Sequence, residues 1–137
     1  MRIMGIDYGD ARTGVAISDL LCTIVGSTQV IHSRNMDKTI QRIHEIVSEN
    51  AVSKIVVGLP KNMDGTEGPR AELCKVFAQK LEGTTGIQVA MWDERRTTVE
   101  AHNILSAHNY RGKKRKDTVD AVAAALILEG YLAFLGR

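Results

Sequence analysis

The sequence predicts an α/β protein built on a five-stranded mixed sheet, and three observations support this class. The chain has 137 residues, which fits one domain covering 1–137, because two halves would each be too small to bury a stable core. Short strand-like runs fill the N-terminal part, whereas apolar residues recur at helical spacing between the later strands. An antiparallel meander followed by strand–helix crossovers gives a mixed sheet with helices on both faces.

Three strands are predicted at the N-terminus. The first covers residues 2–8, and the turn-forming run GDARTG at 9–14 separates it from a second strand at 15–18. Residues 28–32 predict the third strand. Strict alternation would place Ile3, Gly5 and Asp7 on one face of the first strand. No helical pattern lies between the three strands, so we expect antiparallel neighbours.

Helix and strand patterns alternate in the middle of the chain. Asn35 can cap a first helix. The apolar residues of that helix recur every three or four positions: Ile40, Ile43, Ile46 and Val47. Residues 53–58 are a β-branched run of the kind that is buried in a parallel sheet. We therefore expect a strand–helix crossover from here on.

A second helix is predicted after a loop at residues 59–68. Pro69 suits its first position, since the missing N–H would have no partner there. The helix is expected to end near Gly83, and residues 87–92 predict the fifth strand.

Two helices are predicted after the fifth strand. Thr97 and Glu100 form a capping box at the start of the first of them. The run RGKKRK at 111–116 is expected to be a basic loop, and the last helix to cover about 117–135 with Asp117 as its cap. This helix is apolar around most of its circumference, so we expect it to pack against the protein on more than one side.

Composition excludes several classes. The apolar fraction of 44% and the charged fraction of 25% are ordinary for a globular protein and argue against disorder. The longest apolar run, 121–128, has eight residues, whereas a membrane span needs roughly 20. Asp7 and Asp10 interrupt the only early apolar stretch, so no secretory signal is expected. Cys22 and Cys74 are far apart and indicate reduced thiols. We expect a cytoplasmic protein without membrane contact.

The net charge of +2 conceals one concentrated basic segment. Residues 111–116 carry five positive charges, so the rest of the chain is acidic on balance. This asymmetry is typical of a protein that meets a polyanion at one place on its surface. A solvated loop without any partner would have the same composition.

Three carboxylates occupy positions that solvation does not readily explain. Asp7 closes the first strand, Glu94 follows the fifth, and Asp120 lies among alanines and valines in the last helix. A carboxylate at the end of a buried strand is costly unless it is paired or bound to a cation. Each acid also has a plainer interpretation. Asp7 could cap a turn, and Glu94 could pair with Arg95 or Arg96. Asp120 could be an acid that the helix dipole favours.

A shared metal site is predicted if the first and fifth strands are parallel and near the sheet centre. Asp7 and Glu94 would then end at one edge, and the last helix could bring Asp120 over them. Three such carboxylates would repel one another and raise their pKa values, and divalent cations would remove that penalty. Oxygen ligands with open positions favour Mg²⁺ or Mn²⁺. Two such ions activate water and stabilise the leaving oxygen in phosphodiester hydrolysis.

Basic residues near these acids are predicted to contact nucleic-acid phosphates. Arg12 and Arg95, at element ends, are preferred over Lys61, Arg70 and Arg96. The basic segment supplies the other candidates: Arg111, Lys113, Lys114, Arg115 and Lys116. The aromatic fraction is only 4%, so base stacking is not expected to be the main mode of recognition.

Four short motifs occur in order along the chain. They are GIDYG at 5–9, VGLP at 57–60, WDER at 92–95, and Asp120 followed by paired alanines in the last helix. Through these motifs the whole chain resembles the YqgF/RuvX family of pre-16S ribosomal RNA nucleases, also described as Holliday junction resolvases. The resemblance implies a ribonuclease H-like fold and a role in ribosome biogenesis. It also implies divalent-metal-dependent cleavage with Asp7, Glu94 and Asp120 as catalytic acids.

Several functions remain open at this point. The leading hypothesis is a metal-dependent nuclease that acts on structured RNA near the 5′ end of precursor 16S rRNA, as a monomer or homodimer. A junction-resolving DNA endonuclease is the nearest alternative, and it would need a two-fold dimer to place two sites symmetrically. Asp7, Gly9 and Gly14 also resemble the phosphate loop of actin-like ATPases, although one lobe cannot enclose a nucleotide. The last alternative is a non-catalytic nucleic-acid-binding module.

Overall fold

The computed structural model describes residues 1–94 and 112–136 of the chain. Within these ranges the helices and strands follow one another in this order: β1 Arg2–Asp7, β2 Arg12–Ser18, β3 Val25–His32, α1 Met36–Glu49, β4 Val52–Leu59, α2 Pro69–Thr85, β5 Val89–Asp93 and α3 Gly112–Leu135. The helix predicted from Thr97 lies outside the described residues.

The strands form one mixed sheet, as predicted, in the order β3-β2-β1-β4-β5. β1 pairs antiparallel with β2, and β2 pairs antiparallel with β3. β1 pairs parallel with β4, and β4 pairs parallel with β5. The expectation that β1 and β5 both lie near the centre was wrong for β5, which lies at an edge of the sheet. β4 takes the inner position instead, and its residues 55–59 are buried.

Alternation along β1 separates two apolar layers. Met4 and Ile6 belong to the core under α1 and α2, whereas Ile3 belongs to the core under α3. Gly5 also lies on the α3 side, where an added Cβ would stand 2.8 Å from Leu128 Cβ. The period-two pattern therefore places Asp7 on the same face of the sheet as α3, as the sequence predicted.

The ends of several elements differ from the predictions. β2 begins at Arg12, so the last part of the predicted turn is strand, held by pairing of Gly14 with Asp7 and of Arg12 with His32. The cap of α1 is confirmed, since Asn35 Oδ1 accepts a hydrogen bond of 3.0 Å from the backbone N–H of Lys38. Pro69 begins α2 as predicted.

The basic segment was predicted to be a loop, and this was wrong for residues 112–116, which are the first turns of α3. Lysine and arginine are good helix formers, and the composition of this run allows the helix to start early. Asp117 is consequently inside the helix and is not its cap. Its Oδ2 lies 3.1 Å from His32 Nε2 at the end of β3.

α3 crosses one face of the sheet, over four strands, while α1 and α2 cover the other face. Its packing on several sides was therefore not confirmed, and Phe134 and Leu135 near its end are exposed. Residues Asp117–Leu135 are long and apolar enough for a membrane span by length and composition. Within the fold, however, Ala124, Ile127 and Leu128 are fully buried against the sheet.

Candidate active site

Asp7 and Glu94 lie near each other at the C-terminal ends of the strands β1 and β5. Glu94 lies close enough to Asp7 for its hydrogen bonding and its charge to act on the Asp7 carboxyl. Burial raises the pKa of Asp7 well above its usual value, and the hydrogen bond and charge of Glu94 raise it further. The Arg70 guanidinium acts in the opposite direction on the pKa of Asp7. A buried carboxyl with a second carboxyl beside it is suited to bind a cation.

Gly58 allows this contact although β4 separates the two strands. In the sheet, Gly58 pairs with Trp92 of β5, and its neighbour Val57 pairs with Ile6 of β1. A Cβ at position 58 would stand 2.6 Å from Glu94 Oε1. The Glu94 carboxylate therefore passes over β4 through space that only a glycine leaves open.

Asp120 approaches the same region from α3. Arg12 Nε donates a hydrogen bond of 2.9 Å to Asp120 Oδ2, and the side chains are 32% and 18% exposed, respectively. Burial raises the pKa of Asp120, the Arg12 hydrogen bond lowers it, and the charge of Asp7 raises it. The charge of Asp7 thus affects the pKa of Asp120, although the Asp120 carboxylate itself is paired with the Arg12 guanidinium.

The backbone of α3 packs closely against the backbone of β2, and this packing brings Asp120 to the C-terminal end of β1. Gly14 is the partner of Asp7 in the β1–β2 ladder, and a Cβ added to Gly14 would overlap the Asp120 carbonyl oxygen. Ala124, one turn further along α3, is also fully buried. Sequence reasoning treated Gly14 as part of a turn and did not assign it this role. The sequence did contain a signal for this close packing, namely the small residues Gly5 in β1, Gly14 in β2 and Ala124 in the last helix.

The residues present fit a divalent cation in part. The Asp7–Glu94 pair offers oxygen ligands of the kind that Mg²⁺ and Mn²⁺ prefer. Among residues 1–94 and 112–136, however, no three Asp, Glu, His or Cys side chains are grouped closely enough to hold an ion. The structure therefore brings Asp7 and Glu94 into contact and leaves Asp120 on Arg12. A guanidinium next to Asp120 avoids the cost of a third carboxylate in the buried pair.

Of the residues predicted to contact nucleic acid, only Arg12 has a described side chain. Arg12 lies at the site and is engaged by Asp120. Arg95 and Arg111 lie outside the described residues. Four candidates fall on the first turns of α3, of which only the backbone is described: Lys113, Lys114, Arg115 and Lys116.

Arg70 contributes more to this region than the sequence suggested. Its Nη1 donates a 2.8 Å hydrogen bond to Asp10 Oδ1, and its Nη2 donates to the carbonyl of Tyr8. The guanidinium also lies over the Tyr8 ring, 5.4 Å from the centroid, and that ring stacks on Phe77. Arg70 thus ties the start of α2 to the residue that follows Asp7.

The ribonuclease H-like fold, as predicted, is confirmed by similarity to solved structures. Thermus thermophilus RuvC, solved in complex with a Holliday junction substrate, aligns with a TM-score of 0.65 at 13% identity, covering 100% of this chain and 97% of that one. The fowlpox virus Holliday junction resolvase aligns with a TM-score of 0.62 at 12% identity, covering 98% and 99%. These likenesses define the fold class.

The chain belongs to the RuvX family, whose model is described as Holliday junction resolvase and matches residues 1–133. A relative from Carboxydothermus hydrogenoformans is 43% identical over 137 residues, which are 100% of this chain and 99% of the relative. One from Listeria innocua is 46% identical over 134 residues, covering 96% and 97%. Both carry the name "Putative pre-16S rRNA nuclease".

Proposed function

We propose that this chain is a divalent-metal-dependent nuclease that hydrolyses phosphodiester bonds in structured RNA, at the 5′ end of precursor 16S rRNA in the cytoplasm. The approach of the Glu94 carboxylate to the buried Asp7 carries the proposal, because neighbouring carboxyls give a cation oxygen ligands. Full-length relatives with the corresponding name support the choice of substrate.

Asp7 and Glu94 would hold the cation, with Asp120 as the third ligand. A bound Mg²⁺ or Mn²⁺ supplies an activated water and stabilises the leaving oxygen. The residues of the chain supply the site itself: β1 fixes Asp7, and Gly58 gives Glu94 its path across β4. Asp7, whose pKa is raised, has to lose its proton before it can act as a ligand. Metal affinity should therefore rise with pH.

Phosphate contacts are assigned to Arg12, Arg95 and the basic start of α3. α3 carries both this basic segment and Asp120. One helix thus links the region that attracts the polyanion to the acids that would act on it. Binding through these charges should weaken steeply with added salt.

Holliday junction resolution is the second candidate. The description of the RuvX family and the similarity to resolvase structures favour it. Two cuts placed symmetrically on a four-way junction require two copies of the site related by a two-fold axis. A chain that is monomeric under the conditions of cleavage would contradict this candidate.

A side-by-side cleavage assay tests both candidates. Precursor 16S rRNA and a four-way DNA junction are incubated with the wild-type chain, with and without Mn²⁺, and with the Asp7→Asn variant. Asp37→Asn is the matched control, because Asp37 is an exposed acid on α1 that pairs with Lys80. We expect Mn²⁺-dependent cleavage of the RNA that is lost only in Asp7→Asn. Binding of the RNA without cleavage at any metal concentration would contradict the proposal.

A further inference from the structure

We infer that Arg12 withholds Asp120 from the Asp7–Glu94 pair, and that a nucleic-acid phosphate releases it by taking the guanidinium. The inference rests on the proposed function, since it concerns the same site. It makes Arg12 a positioning residue that couples binding of the nucleic acid to binding of the metal.

The first step is the competition for one carboxylate. Asp120 accepts from Arg12 Nε at 2.9 Å and is mostly shielded from water. The guanidinium of an arginine binds carboxylates through a rigid, planar set of donors. A divalent cation that uses Asp120 as a ligand must compete with the guanidinium. The ion pair should therefore lower the affinity of the site for metal.

The second step is that the ion pair can open without displacing α3. A separate contact connects the same part of the sheet to α3. His32, the cross-strand partner of Arg12, contacts Asp117, which lies one turn before Asp120 on the helix. The helix is also packed closely on Gly5 and Gly14. These contacts hold the helix in place while the Asp120 side chain changes its partner.

The third step identifies what would take Arg12 away. The Arg12 side chain is one-third exposed, so a ligand can reach it from solvent. Guanidinium groups bind phosphate oxygens through strong charge-assisted hydrogen bonds. A phosphate of the nucleic-acid backbone thus satisfies Arg12 and leaves Asp120 available to the cation. Because coupling between two ligands is reciprocal, metal should also tighten the binding of nucleic acid.

The test is a calorimetric titration of the full chain with Mn²⁺ alone. Arg12→Gln should bind Mn²⁺ about fivefold more tightly than the wild type, at the lower end of the range for coupled sites. Arg12→Lys, which keeps a positive charge, should stay near the wild type. His32→Gln, which breaks the neighbouring contact and leaves Asp120 paired, should have unchanged affinity. Unchanged or weaker Mn²⁺ binding in a folded Arg12→Gln would overturn the inference.

A second measurement remains decisive if Arg12→Gln fails to fold. The wild type is titrated with Mn²⁺ at 4 °C in the presence and absence of a labelled RNA hairpin, and gel electrophoresis of the label measures how much of the hairpin stays intact during the titration. The hairpin should tighten Mn²⁺ binding in the wild type and have a smaller effect in Arg12→Lys, which offers phosphate a single point charge. Equal Mn²⁺ affinity with and without the hairpin contradicts the inference. Mn²⁺ coupling without any cleavage of RNA or DNA by the wild type would instead count against the proposed nuclease function.

Discussion

The Glu94 carboxylate, which acts on Asp7, lies over Gly58 in space that a Cβ at residue 58 would occupy. The two acids end strands that are separated by β4, and a Cβ on Gly58 would stand 2.6 Å from Glu94 Oε1. A single glycine in the inner strand therefore leaves open the space that the Glu94 carboxylate occupies near Asp7. The contact follows from the packing of three strands and not from any pair of neighbouring residues.

Gly58→Ala should separate the two acids. The added methyl group would also meet Ile127 Cδ1 at 2.6 Å, so we expect a loss of stability of about 1–3 kcal/mol from overpacking. Mn²⁺ affinity and cleavage should fall together, because Glu94 can no longer lie over β4. Denaturant unfolding and Mn²⁺ titration measure the two effects. Full Mn²⁺ affinity in this variant would show that Glu94 has another route.

Asp7→Asn should change how stability depends on pH. In the metal-free wild type, the raised pKa of Asp7 means that the folded state keeps a proton that the unfolded chain has already lost. The folded state then binds more protons, so stability falls as the pH rises from the usual carboxyl range through the raised pKa. An asparagine stays neutral and removes this part of the dependence.

Urea unfolding in EDTA at a series of pH values checks this prediction. Near neutral pH the Asp7→Asn variant should be at least as stable as the wild type, while Mn²⁺ should no longer stabilise it. A large loss of stability at every pH would mean that Asp7 is a structural hydrogen-bonding residue.

Gly14→Ala should be among the most destabilising small changes in the chain. Its Cβ would overlap a backbone carbonyl of α3, which cannot move aside as a flexible side chain can. We expect a cost of about 3 kcal/mol or more. Gly83→Ala is the control, since Gly83 lies in α2 with open space around it and should gain about 0.5–1 kcal/mol. Thermal unfolding of the two variants should shift in opposite directions.

Neutralising Lys113, Lys114 and Arg115 together should weaken nucleic-acid binding and flatten its dependence on salt. The reason is that fewer counterions are released when fewer phosphates are neutralised. Fluorescence anisotropy at several salt concentrations measures both quantities. Thermal stability serves as the control, and an unchanged salt slope would show that these residues do not contact phosphates.

Local sequence patterns were sufficient for most of the fold. The alternation in β1 placed Asp7 on the α3 face, and Asn35 and Pro69 marked the starts of α1 and α2. These features depend on residues a few positions apart, and their periods differ between strand and helix. The resemblance to a known family added the ribonuclease H-like fold and the catalytic roles of the three acids.

Tertiary structure alone decided the rest. Arg12 and Asp120 are 108 positions apart, and no periodicity relates them. Their pairing depends on how closely α3 packs on Gly14 and on which charge is then nearest to a partly buried carboxylate. The position of β5 at the edge, and hence the passage of Glu94 over Gly58, likewise follows from which strand buries more apolar surface. Such outcomes depend on how all the helices and strands pack together. A local segment of the sequence does not contain that information.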